Sequence, residues 1–364
     1  MLNTLAAAIG STWEWAWEIT YISWLQSLGG KGSFLYYLMN FISMFGEEMA
    51  LVAILGLVYW GLDKRRGEKI GLFMVTATLL NPLIKNIACR TRPFDAHPDQ
   101  VANLRDVGGY SFPSGHSSGS ASIFVGNALA MSDKPKRKWL WITGCAIPVL
   151  VALSRNYLGA HYPTDVVAGL ALGVGVVFLM NWLFKIVKNK YFVYGGVLTL
   201  GFAGFFYCTT SDFFTGYGLA LGFTLGLLFE EKVTKFNNTK VFWRVLLRVI
   251  VGGALFLALN EGMKLLVGAF GAKVEVDGVM VKWYEAQTPF CIWFERIFRV
   301  LRYSITAFLM IGVYPLLFAQ TDKLWRKLGL VETDDTVTGR LPKKKVDEQD
   351  DTTTAAESET PAQE

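Results

Sequence analysis

Long apolar runs separated by short basic stretches dominate the pattern of hydrophobic and polar positions along this 364-residue chain. Each run covers about 16–25 residues, close to the roughly 20 residues that cross a bilayer as a helix. The pattern predicts an all-α fold, a polytopic membrane helical bundle, in which 33–62 forms either one span or a short helix followed by a span. The predicted spans lie at about 47–62, 68–89, 115–132, 138–153, 162–185, 191–208, 213–229, 241–267 and 298–319.

The two ends of the chain depart from this pattern. Residues 1–44 are rich in tryptophan, and Glu14 and Glu18 lie between the rings, which is typical of amphipathic helices at a membrane interface. No basic region precedes an apolar run here, so we expect no cleaved secretory signal. Residues 321–364 carry many charges and few large apolar side chains, which predicts a disordered tail.

Lysine and arginine are concentrated in alternate loops, which predicts the orientation in a bacterial plasma membrane. The densely basic set reads DKRRGEK, DKPKRK, KIVKNK and EEKVTKFNNTK, and the positive-inside rule places it, with the C-terminus, in the cytoplasm. The opposite loops, at 90–113, 154–161, 209–212 and 268–297, are poorer in basic residues for their length, so all three histidines are predicted on the outer side. The formal charge of +5 therefore reflects topology and gives no indication of nucleic-acid binding.

The composition agrees with a membrane protein and excludes an ordinary soluble domain. Hydrophobic residues make up 52% of the chain, and the mean hydropathy is +0.34. Four widely spaced cysteines, Cys89, Cys145, Cys208 and Cys291, form neither a metal-binding pattern nor a disulfide framework. We interpret them as ordinary apolar residues.

The first polar motif, KNIACRTRP, follows the second predicted span. Lys85 is still near the end of that helix, and a lysine in an apolar span is usually tied to function. The alternative is a lysine that snorkels to the interface. Arg92 is ambiguous from the sequence alone, and we interpret Arg90 as a loop arginine.

The second motif, PSGH, stands at the start of a predicted helix. Pro113 fixes the chain before the helix, Ser114 is a natural N-cap, and Gly115 lets backbone approach a ligand. Unpaired N–H groups and the helix dipole at such an N-terminus favour phosphate. His116 lies in the first turn beside any bound anion, although the motif also fits a simple cap with an incidental histidine.

The third motif, SRNYLGAHYPTD, joins the fourth and fifth predicted spans. Pro163 suits the first position of a helix, and Asp165 falls in its first turn. A carboxylate there can accept from one nitrogen of His161 and leave the other free as a nucleophile. Alternatively, Asp165 only caps the helix and His161 is an interface residue. Arg155 lies on the same outer side.

Together, the motifs bring cations, two histidines, a carboxylate and a helix N-terminus to one side of the membrane, which suits phosphoryl transfer. Lysine and arginine would neutralise the phosphate oxygens, one histidine would attack phosphorus, and the other would protonate the leaving oxygen. The residues alone do not say which histidine attacks. The sequence shows no carboxylate cluster for Mg²⁺, so we expect no metal or other cofactor. His97 has no such neighbours in the sequence and is set aside as a loop residue.

The three motifs resemble those of the type 2 phosphatidic acid phosphatase superfamily. Its members include lipid phosphate phosphatases, bacterial isoprenyl-diphosphate phosphatases, glucose-6-phosphatase and the vanadium haloperoxidases. The resemblance covers residues 45–208 and implies the family's six-span core. The stretch from SMFGEE through YWGLDKRRGEK is similar to a bacterial branch related to sphingosine-phosphate phosphatases.

The resemblance implies a role for each matching residue. Lys85, Arg92 and Arg155 would hold the phosphate, joined by Ser114 and the amide of Gly115.

The same resemblance implies the catalytic roles. His161 would be the nucleophile that forms a phosphohistidine, Asp165 would orient it, and His116 would protonate the leaving group. No metal would be required.

Residues 209–320 add about three spans beyond that core, and no motif explains them. They fit lipid-facing packing or the surface of a homo-oligomer, and alternatively a wall that shapes substrate entry.

The sequence as a whole predicts an integral membrane phosphatase whose site faces outward near the headgroups. Candidate substrates are undecaprenyl diphosphate, phosphatidic acid, phosphatidylglycerol phosphate and sphingoid phosphates, and no residue separates them. One alternative is a lipid phosphotransferase that uses the same histidine. Another is a non-catalytic lipid-binding or transport protein, which would not need a nucleophile and its orienting acid.

Overall fold

The fold is a bundle of helices, as the apolar runs predict. The computed structural model describes residues 14–132, 138–239, 241–269, 273–276, 279–283, 288–327 and 336–337. The helices are α1 (Ala16–Ser27), α2 (Phe34–Met44), α3 (Glu48–Gly56), α4 (Lys64–Ala88), α5 (Pro93–Ala96), α6 (Gly115–Met131), α7 (Leu140–Tyr157), α8 (Pro163–Ile186), α9 (Lys190–Phe202), α10 (Ser211–Phe229), α11 (Phe242–Ala269), α12 (Pro289–Phe308) and α13 (Leu316–Lys327).

Short irregular elements extend several of these helices. Helices α3, α10 and α12 continue as π-helical turns at Leu57–Leu62, Glu230–Thr234 and Leu309–Val313, and α9 continues as a 3₁₀ turn at Ala203–Phe206. Strands β1 (Asn238–Thr239) and β4 (Thr336–Val337) form one antiparallel pair. Strands β2 (Lys273–Val276) and β3 (Val279–Lys282) form another.

Five of the described helical stretches are long and apolar enough to cross a membrane, or six if α2 and α3 count as one broken span. These two helices meet at a bend of 50°. The break comes at Gly46, where a Cβ atom would lie 2.9 Å from that of His116. The segment 33–62, which was predicted as either one span or two helices, is therefore two helices that meet at a bend beside the second motif.

Two predicted boundaries are wrong. The last span was predicted from 298, but α12 begins at Pro289, where Thr288 accepts a hydrogen bond from the Cys291 amide as N-cap. The tail was predicted to be disordered from 321, but α13 continues to Lys327. Residues 328–335 and 338–364 lie outside the described residues.

Close approach of α6 and α8 brings the second and third motifs together. Gly169 faces the carbonyl oxygen of Ser114, and Gly173 faces that of Ser118, so that a side chain at either glycine would overlap the neighbouring backbone. The Ser114 amide also donates to the carbonyl oxygen of Asp165 at 3.0 Å. The two helix N-termini therefore start side by side.

The basic loops meet at the opposite end of the bundle. Lys64 pairs with Glu230 at 2.8 Å. Lys190 pairs with Glu68 at 2.8 Å and with Glu231 at 3.0 Å. Three of the four loops that were grouped by charge are thus also grouped in space, and residues 133–137 of the fourth lie outside the described residues.

Helix α1 packs on the end of the bundle that carries the histidines. Gln26 exchanges hydrogen bonds of 2.9 Å with both backbone groups of Ala102, and Ile22 is fully buried. Trp17 and Trp24 are more than half exposed on the other face. The inner face of this helix is part of the protein core, and its predicted amphipathic character and interfacial location stay predictions.

Candidate active site

The three motifs converge on one cavity of about 290 Å³, which we call the polar cavity. Ser114 and Asp165 are fully buried behind its wall, and the other six predicted site residues line it. The lining residues are Gly46, Glu48, Leu51, Thr78, Asn81, Pro82, Lys85, Arg92, Val107, Gly108, Gly115, His116, Ser118, Gly119, Arg155, His161 and Asp212.

His161 and Asp165 are adjacent at the junction of α7 and α8. Nδ1 of His161 lies 3.6 Å from Oδ2 of Asp165, a contact longer than a hydrogen bond. Nε2 lies within hydrogen-bond distance of a guanidinium nitrogen of Arg92, at 3.3 Å, and His161 lines the polar cavity. Nε2 is therefore the ring nitrogen beside a predicted phosphate-binding cation.

The carboxylate of Asp165 is held by several donors. Oδ2 accepts from the Tyr162 amide at 2.8 Å and from the Ser111 hydroxyl. Oδ1 accepts from Arg90 at 2.6 Å. Pro163 occupies the first turn of α8, as predicted, and Asp165 forms part of the capping box of this helix. Asp165 therefore caps α8 and contacts His161 at the same time, so the two interpretations of this residue are compatible.

Arg90 does not behave as the loop arginine that the sequence suggested. Its side chain is 2% exposed and pairs with both Asp165 and Glu18, each at 2.6 Å. Glu18 in turn accepts from the amide of Thr164 at 3.1 Å. The prediction of an interfacial glutamate is wrong for Glu18, because α1 inserts it beneath the third motif to neutralise Arg90.

The three predicted phosphate-binding cations differ in how they are held. Arg92 donates to the carbonyl oxygens of Gly108, Gly109 and Ala160 at 2.7–3.0 Å. Arg155 is fully buried and donates to the Ser43 hydroxyl at 2.9 Å. Among the described residues, its Nε has no hydrogen-bond partner.

Lys85 is 7% exposed and pairs with Asp212 at 3.1 Å. A lysine held inside the protein in this way is not a snorkelling lysine.

Helix α6 presents its N-terminus to the polar cavity. Ser114 is the N-cap, as predicted, and its side chain accepts from the Ser117 amide. His116 follows in the first turn, and its Nε2 is buried with no hydrogen-bond partner in the described part of the chain. A buried imidazole nitrogen without a partner, beside open N–H groups, is placed to meet a ligand.

The electrostatic environment keeps His161 neutral. Burial, followed by the positive charges of Arg92, Arg155 and Lys85, holds the pKa of this imidazole well below its usual range. A neutral imidazole retains the lone pair that a nucleophile needs.

The predictions missed several polar residues at this site. Glu48 and Asp212 line the polar cavity, and Glu47 pairs with Arg105 close by. A signal for Asp212 was present, because 209–212 was already placed among the outer loops. His97 lies elsewhere, 2.8 Å from Glu14.

Comparisons with known proteins agree with this architecture. Residues 68–188 match the PAP2 superfamily, and residues 214–326 match the PAP2 superfamily phosphatase, transmembrane extension. The first match lies inside the predicted core, and the second accounts for most of the extra spans. We use "the extension" for residues 209–326, of which the family match covers 214–326; residues 209–213 lie just before it.

Curated relatives cover the core. An undecaprenyl-diphosphatase of Sulfolobus acidocaldarius is 34% identical over 39% of this chain and 67% of its own length. Phosphatidylglycerophosphatase B of Bacillus subtilis is 32% identical over 42% of this chain and 76% of its own. Human sphingosine-1-phosphate phosphatase 2 is 25% identical over 41% and 38%.

One solved structure also matches. It is a transmembrane PAP2 type phosphatidylglycerolphosphate phosphatase from Bacillus subtilis, with a TM-score of 0.42, 29% identity, and coverage of 52% of this chain and 94% of that chain.

The helical bundle and the sequence matches define a membrane-spanning phosphatase. The chain belongs to the PAP2 superfamily, and it carries the transmembrane extension of that family. The resemblance seen in the three motifs is thereby confirmed.

Proposed function

We propose that this protein hydrolyses lipid phosphates or diphosphates at the outer face of the plasma membrane through a phosphohistidine on His161. The observation that carries the proposal is the placement of His161, beside Asp165, in one cavity with three cations. Relatives that act on prenyl and glycerol lipids support the substrate class.

Binding would place the phosphate against Lys85, Arg92 and Arg155, with its oxygens toward the N-terminus of α6 at Ser114 and Gly115. These groups meet the charge of the phosphate without a metal ion. We therefore expect turnover in the presence of a chelator.

The reaction would then proceed in two steps. Nε2 of His161 forms a bond to phosphorus, the bond from phosphorus to the leaving oxygen breaks, and His116 donates a proton to that oxygen. A bound phosphate favours the protonated form of His116 because it offsets the surrounding cations. Water then attacks the phosphohistidine, His116 accepts a proton from it, and phosphate leaves.

A second cavity, which we call the apolar cavity, offers a place for the lipid tail. It lies between α3, α4, α10, α11 and α12, and its lining includes Val52, Ala53 and Gly253. The two cavities border the same turn of α3, because Glu48 lines the polar cavity and Met49 lines the apolar one. A substrate with its phosphate in the polar cavity would extend its tail toward the apolar cavity, between the core and the extension.

The test measures phosphate release by purified protein in detergent with EDTA, from a panel of lipid phosphates and diphosphates. His161→Ala should lower the rate by about 10³-fold or more, as expected for loss of a nucleophile. His97→Ala is the matched control, because it removes the histidine outside the polar cavity. Labelled lipid product without free phosphate would indicate a phosphotransferase, and no turnover by folded protein would contradict catalysis.

A further inference from the structure

We propose that Asp212, supplied by the extension, makes the site selective for lipid phosphate monoesters over lipid diphosphates. This inference rests on the proposed function and narrows its substrate class. The extension would then act as part of the catalytic site in addition to packing against the core.

The geometry places a carboxylate among the phosphate-binding groups. Oδ2 of Asp212 lies 3.1 Å from Nζ of Lys85. The lysine side chain is only 7% exposed, whereas the aspartate side chain is 42% exposed and lines the polar cavity. Lys85 therefore meets a ligand with Asp212 at its side, and Asp212 itself faces the space that the ligand enters.

The position of Asp212 is fixed by the core. Asn86 lies on α4, one residue after Lys85, and its Oδ1 accepts from the Thr209 amide at 2.9 Å. Its Nδ2 donates to the hydroxyl of Thr210 at 2.8 Å. Thr210 is the residue that precedes α10. The start of α10 is thus tied to the helix that carries Lys85, and the carboxylate is held in register with the lysine.

The charges of the polar cavity favour a ligand of limited negative charge. Lys85, Arg92 and Arg155 are positive, while the carboxylate of Asp212, beside Lys85, opposes them. Asp165 lies behind the wall and is already paired with Arg90. The cavity therefore offers less positive charge than its basic residues suggest.

A monoester and a diphosphate would meet this cavity differently. Both substrates place a terminal phosphate against the cations. The diphosphate adds a second charged phosphate, which would lie close enough to the carboxylate of Asp212 to be repelled by it. Like charges a few ångströms apart repel strongly in a partly buried site. A monoester instead places its uncharged ester group there.

The experiment compares initial rates of phosphate release from dioleoyl phosphatidic acid and from dioleoylglycerol diphosphate, which share the same lipid tail. The wild-type protein should have the higher kcat/KM for the monoester. Asp212→Asn should shift the ratio of the two kcat/KM values toward the diphosphate by about tenfold, since it removes one charge and keeps the shape. Asp212→Glu, which retains the charge, should keep the wild-type preference.

Asp99→Asn is the matched control, because it makes the same change at an exposed position outside the polar cavity. Its ratio should equal that of the wild type. An unchanged ratio in an active Asp212→Asn variant, or a wild-type preference for the diphosphate, would overturn the inference and leave the proposed hydrolysis intact. Failure of the wild type to release phosphate from either lipid would overturn the inference, and the proposed hydrolysis fails only if every lipid of the panel described above is inert.

Discussion

The two histidines of the polar cavity differ in their neighbours, and this difference supports their proposed roles. His161 has a carboxylate beside one nitrogen and a cation beside the other, and burial, followed by the nearby cations, lowers its pKa. His116 lies in the first turn of α6 with Nε2 free of partners among the described residues. The first arrangement suits a nucleophile, and the second suits a group that exchanges a proton with the ligand.

The role of His116 predicts a dependence on the leaving group. His116→Ala should lower phosphate release from phosphatidic acid by about 10²–10⁴-fold, because an alkoxide leaves poorly without a proton. The loss should be much smaller with p-nitrophenyl phosphate, since nitrophenolate leaves unprotonated. His161→Ala should impair both substrates equally. Equal losses for His116→Ala on the two substrates, measured as kcat/KM, would contradict its role as the acid.

The buried charges around Arg90 predict a large effect of Glu18 on stability. Glu18→Gln should lower the free energy of unfolding by about 3 kcal/mol, because it leaves a buried arginine with one charged partner fewer. Glu14→Gln is a matched control in the same segment, since its pair with His97 is exposed and is worth less than about 1 kcal/mol. Thermal unfolding in detergent measures both, and equal transition temperatures would count against a structural role for Glu18.

The spacing of residues in the sequence predicted the site residues that belong to short motifs. It did not predict the roles of residues whose partners are distant in the chain. Lys85, Arg92 and His161 stand at motif positions, so their convergence could be expected. The pairing of Arg90 with Glu18 joins residues 72 positions apart. Such a pair depends on how α1 packs, which local pattern does not encode.

At the scale of elements, apolar runs predicted most helices to within a few residues, because membrane-spanning helices need long uninterrupted apolar stretches. The start of α12 was missed for a physical reason. Its first three turns include Glu295, Arg296 and Arg299, and these charges lower the local hydropathy by which a membrane-spanning helix is recognised. Two of these charges neutralise each other, since Glu295 pairs with Arg299 one turn apart.

The apolar cavity makes a prediction about α11. A Cβ atom at Gly253 would meet no heavy atom within 4 Å, so Gly253→Phe can fill the cavity without distorting the backbone. The new ring would displace part of the lipid tail. KM for a long-chain lipid phosphate should therefore rise about tenfold, which corresponds to the loss of roughly two buried methylene groups at about 0.8 kcal/mol each. KM for a short-chain analogue should not change.

Gly262→Phe provides the control for this experiment. Gly262 lies on the same helix with equal space around it, but it does not line the apolar cavity. Kinetics on both chain lengths should match the wild type. A rise in KM for the short-chain analogue in Gly253→Phe would indicate distortion of the site and contradict a tail-binding cavity.

At the scale of the whole molecule, the polar cavity and the basic loops lie at opposite ends of the bundle. Lys64 and Lys190 lie at one end among acidic partners, and the two histidines lie at the other. Because basic loops face the cytoplasm, the polar cavity is expected to face outward.

Cysteine labelling tests this orientation. In a Cys145→Ser background, which removes the exposed native thiol, Asp99→Cys should react with an impermeant thiol reagent in intact cells. Lys188→Cys, exposed at the opposite end, should react only after permeabilisation. The reverse pattern would place the site in the cytoplasm.

The central claim is that phosphate passes through a covalent bond to His161, and trapping that intermediate tests it most directly. Protein mixed with lipid carrying labelled phosphate, in EDTA, and quenched with base during turnover should carry label that acid removes, as expected of a phosphohistidine. The label should be present in His97→Ala and absent in His161→Ala. Label that persists in folded His161→Ala protein, or that resists acid, would contradict the account.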